Sequence, residues 1–421
     1  VSMSANLLKA RDRRRPLSSE GGLQRRHRPD FVLLIISAIL LAIGLIVVFS
    51  ISPALGAQKN VSESYFVNKQ LGAILLGIIS FAVVSNVPPK FWRKLEIPLL
   101  VGACIASIAV RVFGEEINGA YRWIQVGGLS FQAAELIKMA LIVWLAGFLS
   151  DRKRAGTLGS WKETTKPLLI AFGLIGAIVV VLQSDLGSAA VMIAIMGAMA
   201  FVAGFPLKKV ALAIAVILVA VSMAIAVSPY RQERVKTFLN PTADCEGASY
   251  QACQSLIAVG SGGILGLGLG RSVQAYGYVP EAGNDAIFAI YAEKFGFLGS
   301  AILITLFVGL FARIMRTLER APNEYTRLLA VGVLAWLSTQ TIINIGAMVG
   351  LLPLKGITLP FISYGGTSLI FVTAAIGLVF SISRYTTYEV NTKTEEGSSN
   401  ENPASRRGER RTHHTATRRR S

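Results

Sequence analysis

The chain has 421 residues and a formal net charge of +18. Hydrophobic residues make up 52% and charged residues only 16%, against roughly 25% charged in soluble proteins, which excludes a disordered chain and sets the sequence apart from ordinary soluble enzymes. The three histidines, His27, His413 and His414, all lie in hydrophilic stretches near the ends, so a Ser-His-Asp triad, a Cys-His dyad and a histidine-ligated metal are excluded from the body of the chain.

A helix needs about 20 apolar residues to cross the hydrocarbon core of a bilayer. In chain order such runs fall at 31–52, 66–87, 97–113, 133–150, 167–183, 186–204, 210–228, 287–314, 328–350 and 366–382. They predict an all-α integral membrane protein, a bundle of ten transmembrane helices. The fifth and sixth runs are separated only by Ser184-Asp185. The first run is too long for a signal-peptide core and lacks a small-residue cleavage site, so it reads as a span. Residues 1–30, with Arg13-Arg14-Arg15, and 386–421, rich in Ser, Thr, Glu, Asn and Arg, have no apolar periodicity. They are read as disordered tails flanking a membrane domain at 31–385.

Basic residues orient such a bundle, because lysine and arginine accumulate on the cytoplasmic side. With the N-terminus inside, the segments 1–30, 88–96, 151–166, 205–209, 313–327 and 384–421 are cytoplasmic and hold most of the lysines and arginines. The outer segments 53–65, 114–132, 229–286 and 350–365 hold only Lys59, Arg122, Arg231, Arg234, Lys236, Arg271 and Lys355. Both termini are therefore expected in the cytoplasm. The positive charge is a topology signal and an attraction to anionic lipid, and nucleic acid is not expected as a partner. The one long extracytoplasmic loop, 229–286, is expected to be functional on length alone. Its glycines at 260, 262, 263, 266, 268 and 270 match no phosphate-binding fingerprint, and close backbone packing or a hinge is the plainer reading.

Ionisable groups at membrane depth are costly and so point to function. Glu135 and Lys138 sit i, i+3 in the fourth span, where they can neutralise each other on one helix face. The alternatives are a structural ion pair or a substrate contact. Asp185 either caps the sixth span or serves chemistry, and Glu293 and Lys294 lie in the eighth span. Glu281 and Asp285 stand four apart where the long loop enters that span. If the turn is helical they share a face, and Asp285 then lies near a helix N-terminus, where the dipole favours the ionised form. Arg122, Arg231, Arg234, Lys236 and Lys355 form an outer basic group able to hold an anion such as phosphate, or simply a solvated rim. Cys245 and Cys253 are close enough in the outer loop to pair on an oxidising face.

Many of these stretches resemble the SEDS family (shape, elongation, division and sporulation) of membrane proteins. Arg122-Trp123-Ile124, Phe131-Gln132-Ala133-Ala134-Glu135-Leu136-Ile137-Lys138 and Gln183-Ser184-Asp185-Leu186-Gly187 are similar to it, as are Tyr230-Arg231 through Asn240-Pro241 and Tyr250-Gln251 with Gln254-Ser255-Leu256. So are Pro280-Glu281-Ala282-Gly283-Asn284-Asp285-Ala286 and the run from Lys355-Gly356 to Gly365-Gly366. The resemblance spans about residues 31–385. The stretch Gly268-Leu269-Gly270-Arg271-Ser272-Val273-Gln274 is closer to the division branch, typified by FtsW, than to the elongation branch, typified by RodA. The chain departs from the family's usual Pro-Ser at Ala133-Ala134, its Pro at Ser184 and its His-Thr at Gly283-Asn284.

The resemblance implies a ten-helix glycosyltransferase of the inner membrane. It would polymerise lipid II, a disaccharide-peptide on undecaprenyl diphosphate, in septal wall synthesis. It also implies a class B penicillin-binding protein as transpeptidase partner, beside other division membrane proteins. Its catalytic acid falls on Asp285, an important basic residue on Lys355 and an Arg-Trp motif on Arg122. Glu281, Arg231, Arg234, Lys138 and Glu135 are the further candidates for substrate contacts. The chemistry suits this residue set without histidine: a carboxylate takes the proton of a sugar hydroxyl, and Lys and Arg stabilise the departing diphosphate. A divalent cation, Mg or Mn, is a candidate to share the second task, although no dedicated carboxylate cluster is present. The competing readings are a lipid II flippase and a non-catalytic scaffold for the transpeptidase.

Overall fold

The computed structural model of the chain describes residues 25–386, apart from 27, 118–119, 127–128, 184, 207, 248 and most of 211–228. The seventh expected span and nearly all of both tails lie outside the described residues. Among the described residues, nine helices are long and apolar enough to cross a membrane. The helices of the bundle are α1 (Phe31–Lys59), α2 (Tyr65–Asn86), α3 (Glu96–Phe113), α4 (Ala133–Arg154), α5 (Lys166–Gly176, extended at both ends by π-helical turns) and α6 (Leu186–Ala203). Two shorter helices, α7 (Pro229–Leu239) and α8 (Tyr250–Ser261), follow in the outer loop. The last spans are α9 (Ile287–Glu319), α10 (Glu324–Met348) and α11 (Gly366–Ser383).

The sequence explains which helices lie in the middle. In α4 and α11 small and apolar residues recur on every face, and both are buried almost all round. In α2 only Phe66, Gln70, Ala73, Gly77, Val84 and Ser85 are buried, a stripe at helical spacing that packs on α11. Its other face turns Leu71, Leu75, Ile78, Ile79 and Val83 outward, as a helix facing lipid requires.

Loop contacts fall into two sets. On one side Arg93 pairs with Asp151, Arg152 with Glu163 at 3.4 Å and Lys153 with Glu324 at 2.7 Å. Asp30 caps α1 by accepting from the amides of Val32 and Leu33, while its other oxygen pairs with Arg313 at 2.7 Å. On the other side the Thr367 hydroxyl donates to the Ser130 carbonyl, the Ser52 hydroxyl to the Glu63 carbonyl, and the Tyr364 amide to the Gly283 carbonyl at 2.8 Å. These sets coincide with the segments that basic-residue placement assigns to the inner and outer faces. Surface ion pairs are worth about 0–1 kcal/mol each, so they order these loops more than they hold the bundle.

One outer segment departs from the all-helical expectation. Residues 114–132, expected only as a segment between two spans, include a three-stranded antiparallel sheet: β1 (Glu115–Ile117), β2 (Ala120–Val126) and β3 (Leu129–Gln132). Trp123 pairs with both Glu115 and Gln132, and Ile124 with Phe131. The dipeptides between the strands, Asn118-Gly119 and Gly127-Gly128, are sequences that tight hairpins favour. That signal was in the sequence and is easily lost among long apolar runs.

A second departure lies inside α9. Its backbone breaks at Gly296, which has φ 65° and ψ −164°. The break frees carbonyls at membrane depth, and the glycine-rich loop supplies their donors. The amides of Leu267 and Gly268 donate to the carbonyls of Glu293 and Lys294 at 2.9 and 3.0 Å, and those of Phe297 and Leu298 donate back to Gly263 and Ile264. The side chains close the same joint: Glu293 accepts from the Ser272 hydroxyl and the amides of Val273 and Gln274, and Lys294 donates to the Leu269 carbonyl at 3.1 Å. The two charges of the eighth span thus bind a loop. Close approach is why Gly266 must be glycine: its φ is +84°, and an added Cβ would stand 2.2 Å from the Lys294 carbonyl oxygen. Gly266→Ala is expected to cost about 1–3 kcal/mol, visible as a lower Tm of the purified protein in detergent. An unchanged Tm would contradict this threading of loop into helix.

Candidate active site at the outer face

Asp285 is the last residue but one before α9, in a turn rather than the helix that the spacing allowed. The turn closes when the amides of Asn284 and Ala286 donate to the Glu281 carbonyl at 2.9 and 3.3 Å. Glu281 adopts φ 53°, an uncommon conformation for a side-chain-bearing residue. Its carboxylate stays exposed and accepts from the Asn284 side-chain amide. The departure Gly283-Asn284 is therefore accommodated locally: Asn284 holds Glu281, and Gly283 packs where an added Cβ would meet Leu55 at 3.2 Å.

The Asp285 carboxyl is pulled two ways. Burial raises its pKa most, the neighbouring Glu281 charge raises it further, and its own amide, a hydrogen bond from Gln251 and the Arg234 guanidinium lower it. The outcome is a carboxyl pushed up to about 7. Desolvation is thus the larger influence, against the helix N-terminus that favours the ionised form. Oδ1 is buried and without a hydrogen-bond partner among the described residues. A carboxyl that titrates near neutrality can both accept and release a proton there, as a general base must.

Three elements converge on it. Arg234 lies on α7 and Gln251 on α8. The Cys245–Cys253 disulfide is formed, and Cys253 sits two residues from Gln251 on the same helix. The third element is the loop between α10 and α11, which carries the half-buried Lys355. The Ser363 hydroxyl donates to the Asn284 carbonyl at 2.5 Å, and the Tyr364 amide to Gly283. The Asn344 side chain of α10 donates to the carbonyls of both Asp285 and Ile357, each at 2.7 Å. A groove lined by Arg234, Thr237, Leu256, Gly350 and Leu354 runs between α7, α8 and the start of this loop. Its lining includes both Arg234 and Leu354, the neighbour of Lys355. Gln251 and Asn344 were not singled out as chemical groups, since neither is ionisable.

The other candidates are carried as follows. Arg122 lies on β2 and Arg231 on α7, the helix of Arg234. Glu135 and Lys138 form a buried pair at 2.7 Å in the first turns of α4. Lys138 also donates to the Gln340 carbonyl oxygen at 3.0 Å and lies over the Trp336 ring, and Gln340 donates in turn to the Thr358 carbonyl at 2.9 Å. The pair is therefore tied to the Lys355 loop through one glutamine, while Glu135 Oε2 is buried without a partner among the described residues. Asp185 acts as a cap: its oxygens accept from the Ser188 amide at 3.0 Å and hydroxyl at 2.7 Å. Among the described residues no group of three or more His, Cys, Asp or Glu side chains is placed to hold a metal ion.

A multi-pass helical membrane protein with a near-neutral carboxyl and basic groups at one face is the class these features define. The profile of the FtsW/RodA/SpoVE family, described as cell cycle proteins, matches residues 31–388, and the chain belongs to that family. A protein of Saccharophagus degradans named probable peptidoglycan glycosyltransferase FtsW is 38% identical over 383 residues, covering 90% of this chain and 97% of that protein. Stage V sporulation protein E of Bacillus subtilis is 37% identical, covering 86% of this chain and 99% of its own length. Among solved structures, a chain of a peptidoglycan synthase complex coordinating polymerization and crosslinking superposes with a TM-score of 0.70 at 27% identity, covering 85% of this chain and 98% of that one. The rod shape determining protein RodA of Thermus thermophilus does so at 0.62 and 26%, covering 86% and 98%.

Two outcomes follow from this geometry. A carboxyl whose pKa is raised on folding binds its proton more tightly in the folded state, so its contribution to stability falls as pH rises from about 4 to about 7. Asp285→Asn should therefore raise Tm at pH 8, with the gain vanishing near pH 4, as followed by thermal melting across pH. A gain independent of pH would show that the carboxyl is not held protonated by burial. Separately, opening the disulfide by Cys245→Ser with Cys253→Ser should cost about 2–3 kcal/mol, read from melts with and without reductant. Identical melts for the variant and the oxidised wild type would remove the disulfide as a stabilising tie.

Proposed function

We propose that this chain is a peptidoglycan glycosyltransferase that polymerises lipid II into glycan strands at the outer face of the bacterial cytoplasmic membrane, in the septal wall. The observation that carries the reading is the Asp285 carboxyl, held near neutral pKa in a turn bonded to the loop of Lys355. The names of relatives at 37–38% identity support the same activity.

The acceptor sugar hydroxyl gives its proton to Asp285 as its oxygen bonds to the anomeric carbon of the donor. The bond from that carbon to undecaprenyl diphosphate breaks, and the diphosphate leaves with the electron pair. Lys355 and Arg234 stabilise the charge that develops on it, with Arg122 and Arg231 as further phosphate contacts. Glu281 keeps Asp285 basic enough to take the proton. Glu135 and Lys138 support the substrate-binding face from within the bundle through Gln340. Asp285 and Glu281 alone are too few to hold a divalent cation, so Mg or Mn would owe most of its ligands to the diphosphate, and no step is assigned to it.

The partner in this reading is a class B penicillin-binding protein that crosslinks the nascent strand, alongside other division proteins. Membrane lipids surround the bundle, and both termini lie in the cytoplasm. Purified protein supplied with lipid II, alone and with its transpeptidase, tests the activity. General-base catalysis contributes about 10²–10⁴-fold, so Asp285→Asn should lose polymerisation by about that factor while remaining folded. Lys355→Ala should weaken substrate use. Wild-type rates from folded Asp285→Asn protein would overturn the mechanism and favour a flippase or a scaffold instead.

A further inference from the structure

Asn344 is placed unlike any other polar side chain of α10. It is 1% exposed, and its amide nitrogen reaches two backbone carbonyls from different segments, Asp285 and Ile357, at 2.7 Å each. A primary amide has two N–H donors, and both are used here. The orientation of the amide is settled by its partners, because two carbonyls can be served only by the nitrogen. The chain of bonds continues, since the Ile357 amide donates to the Lys355 carbonyl at 2.7 Å. One side chain on a buried helix therefore grips the peptide of the catalytic carboxylate and the tight turn that carries the basic residue.

Ser363 and Tyr364 bind the carbonyls of Asn284 and Gly283, one and two residues before Asp285 and eight or nine beyond Lys355. Gln340, one helical turn before Asn344, binds Thr358 but not the Asp285 turn. Catalysis by a base and an anion-stabilising cation depends on their spacing, and a misplacement of about 1 Å can cost about 10²-fold.

We propose that Asn344 is a positioning residue, which sets the Asp285 carboxylate against the Lys355 loop so that proton removal and diphosphate departure occur on one substrate. The inference rests on the reading of Asp285 as general base. It concerns rate rather than affinity, since Asn344 is buried and its donors are spent on the protein.

The test is polymerisation of lipid II by purified Asn344→Ala and Asn344→Asp proteins, with kcat, KM and the pH profile measured per folded molecule. The aspartate variant keeps the volume and loses both donors. Both should show kcat lowered by about 10²-fold with KM changed by less than a few-fold. In Asn344→Ala, which adds no charge, the ascending limb of the pH profile should move to lower pH, because a released Asp285 turn gains solvent while Glu281 and Arg234, the charges that face it, remain. Asn344→Ser, which keeps one donor, should recover part of the rate. Wild-type kcat in the folded variants, or a loss that follows only the folded fraction with the pH limb unmoved, overturns the proposal. Failure of all three variants to fold also overturns it, since Asn344 would then be a scaffold residue. Activity of Asp285→Asn instead removes the reading beneath it. An inactive Asp285→Asn beside fully active Asn344 variants removes this inference alone.

Discussion

Two irregular segments, 281–286 and 351–365, meet at one end of the helix bundle, and their backbone groups must find partners away from bulk water. Hydrogen bonds within each turn, from one segment to the other and from α10 to both satisfy them. The same bonds that remove the cost of buried carbonyls fix a carboxylate relative to a basic loop. The remaining architecture follows from this meeting: α4, α10 and α11 form the buried frame, and the lipid-facing helices shield it.

The break in α9 obeys the same constraint. A helix interrupted at Gly296 leaves carbonyls unpaired, and the glycine-rich loop is shaped to supply amides there. Glu293 and Lys294 look from sequence like functional charges in a membrane span. In the structure each binds that loop and is satisfied by it. An ionisable residue at membrane depth therefore carries a double meaning, and only its partners separate catalysis from construction. Asp285 differs because Oδ1 has no partner among the described residues and burial leaves its pKa near neutrality.

Much of the fold was legible in the sequence, because long apolar runs and clustered basic residues follow directly from the bilayer. The helix starts at Phe31, Ala133, Leu186, Ile287 and Gly366 coincide with the expected span starts. Asp285, Glu281 and Lys355 were found as charges near the outer face. The sheet at 115–132 was not, since its signal is two short turn dipeptides rather than a periodic run. Gln251 and Asn344 escaped because a neutral amide acquires its role only through partners distant in sequence: Asn344 lies 59 residues from Asp285. Sequence alone sets a helix N-terminus, which favours the ionised form of Asp285, against burial, which opposes it, and only the packing around the turn shows burial as the larger of the two.

The central claim is that Asp285 faces the acceptor hydroxyl while the Lys355 loop receives the diphosphate. A structure of the Asp285→Asn protein with lipid II bound tests it most directly. The account places the acceptor hydroxyl within about 3 Å of the side chain at position 285, with the diphosphate against Lys355 and Arg234. A diphosphate seated elsewhere, for instance beside Glu135 and Lys138, with no sugar near position 285, would contradict it.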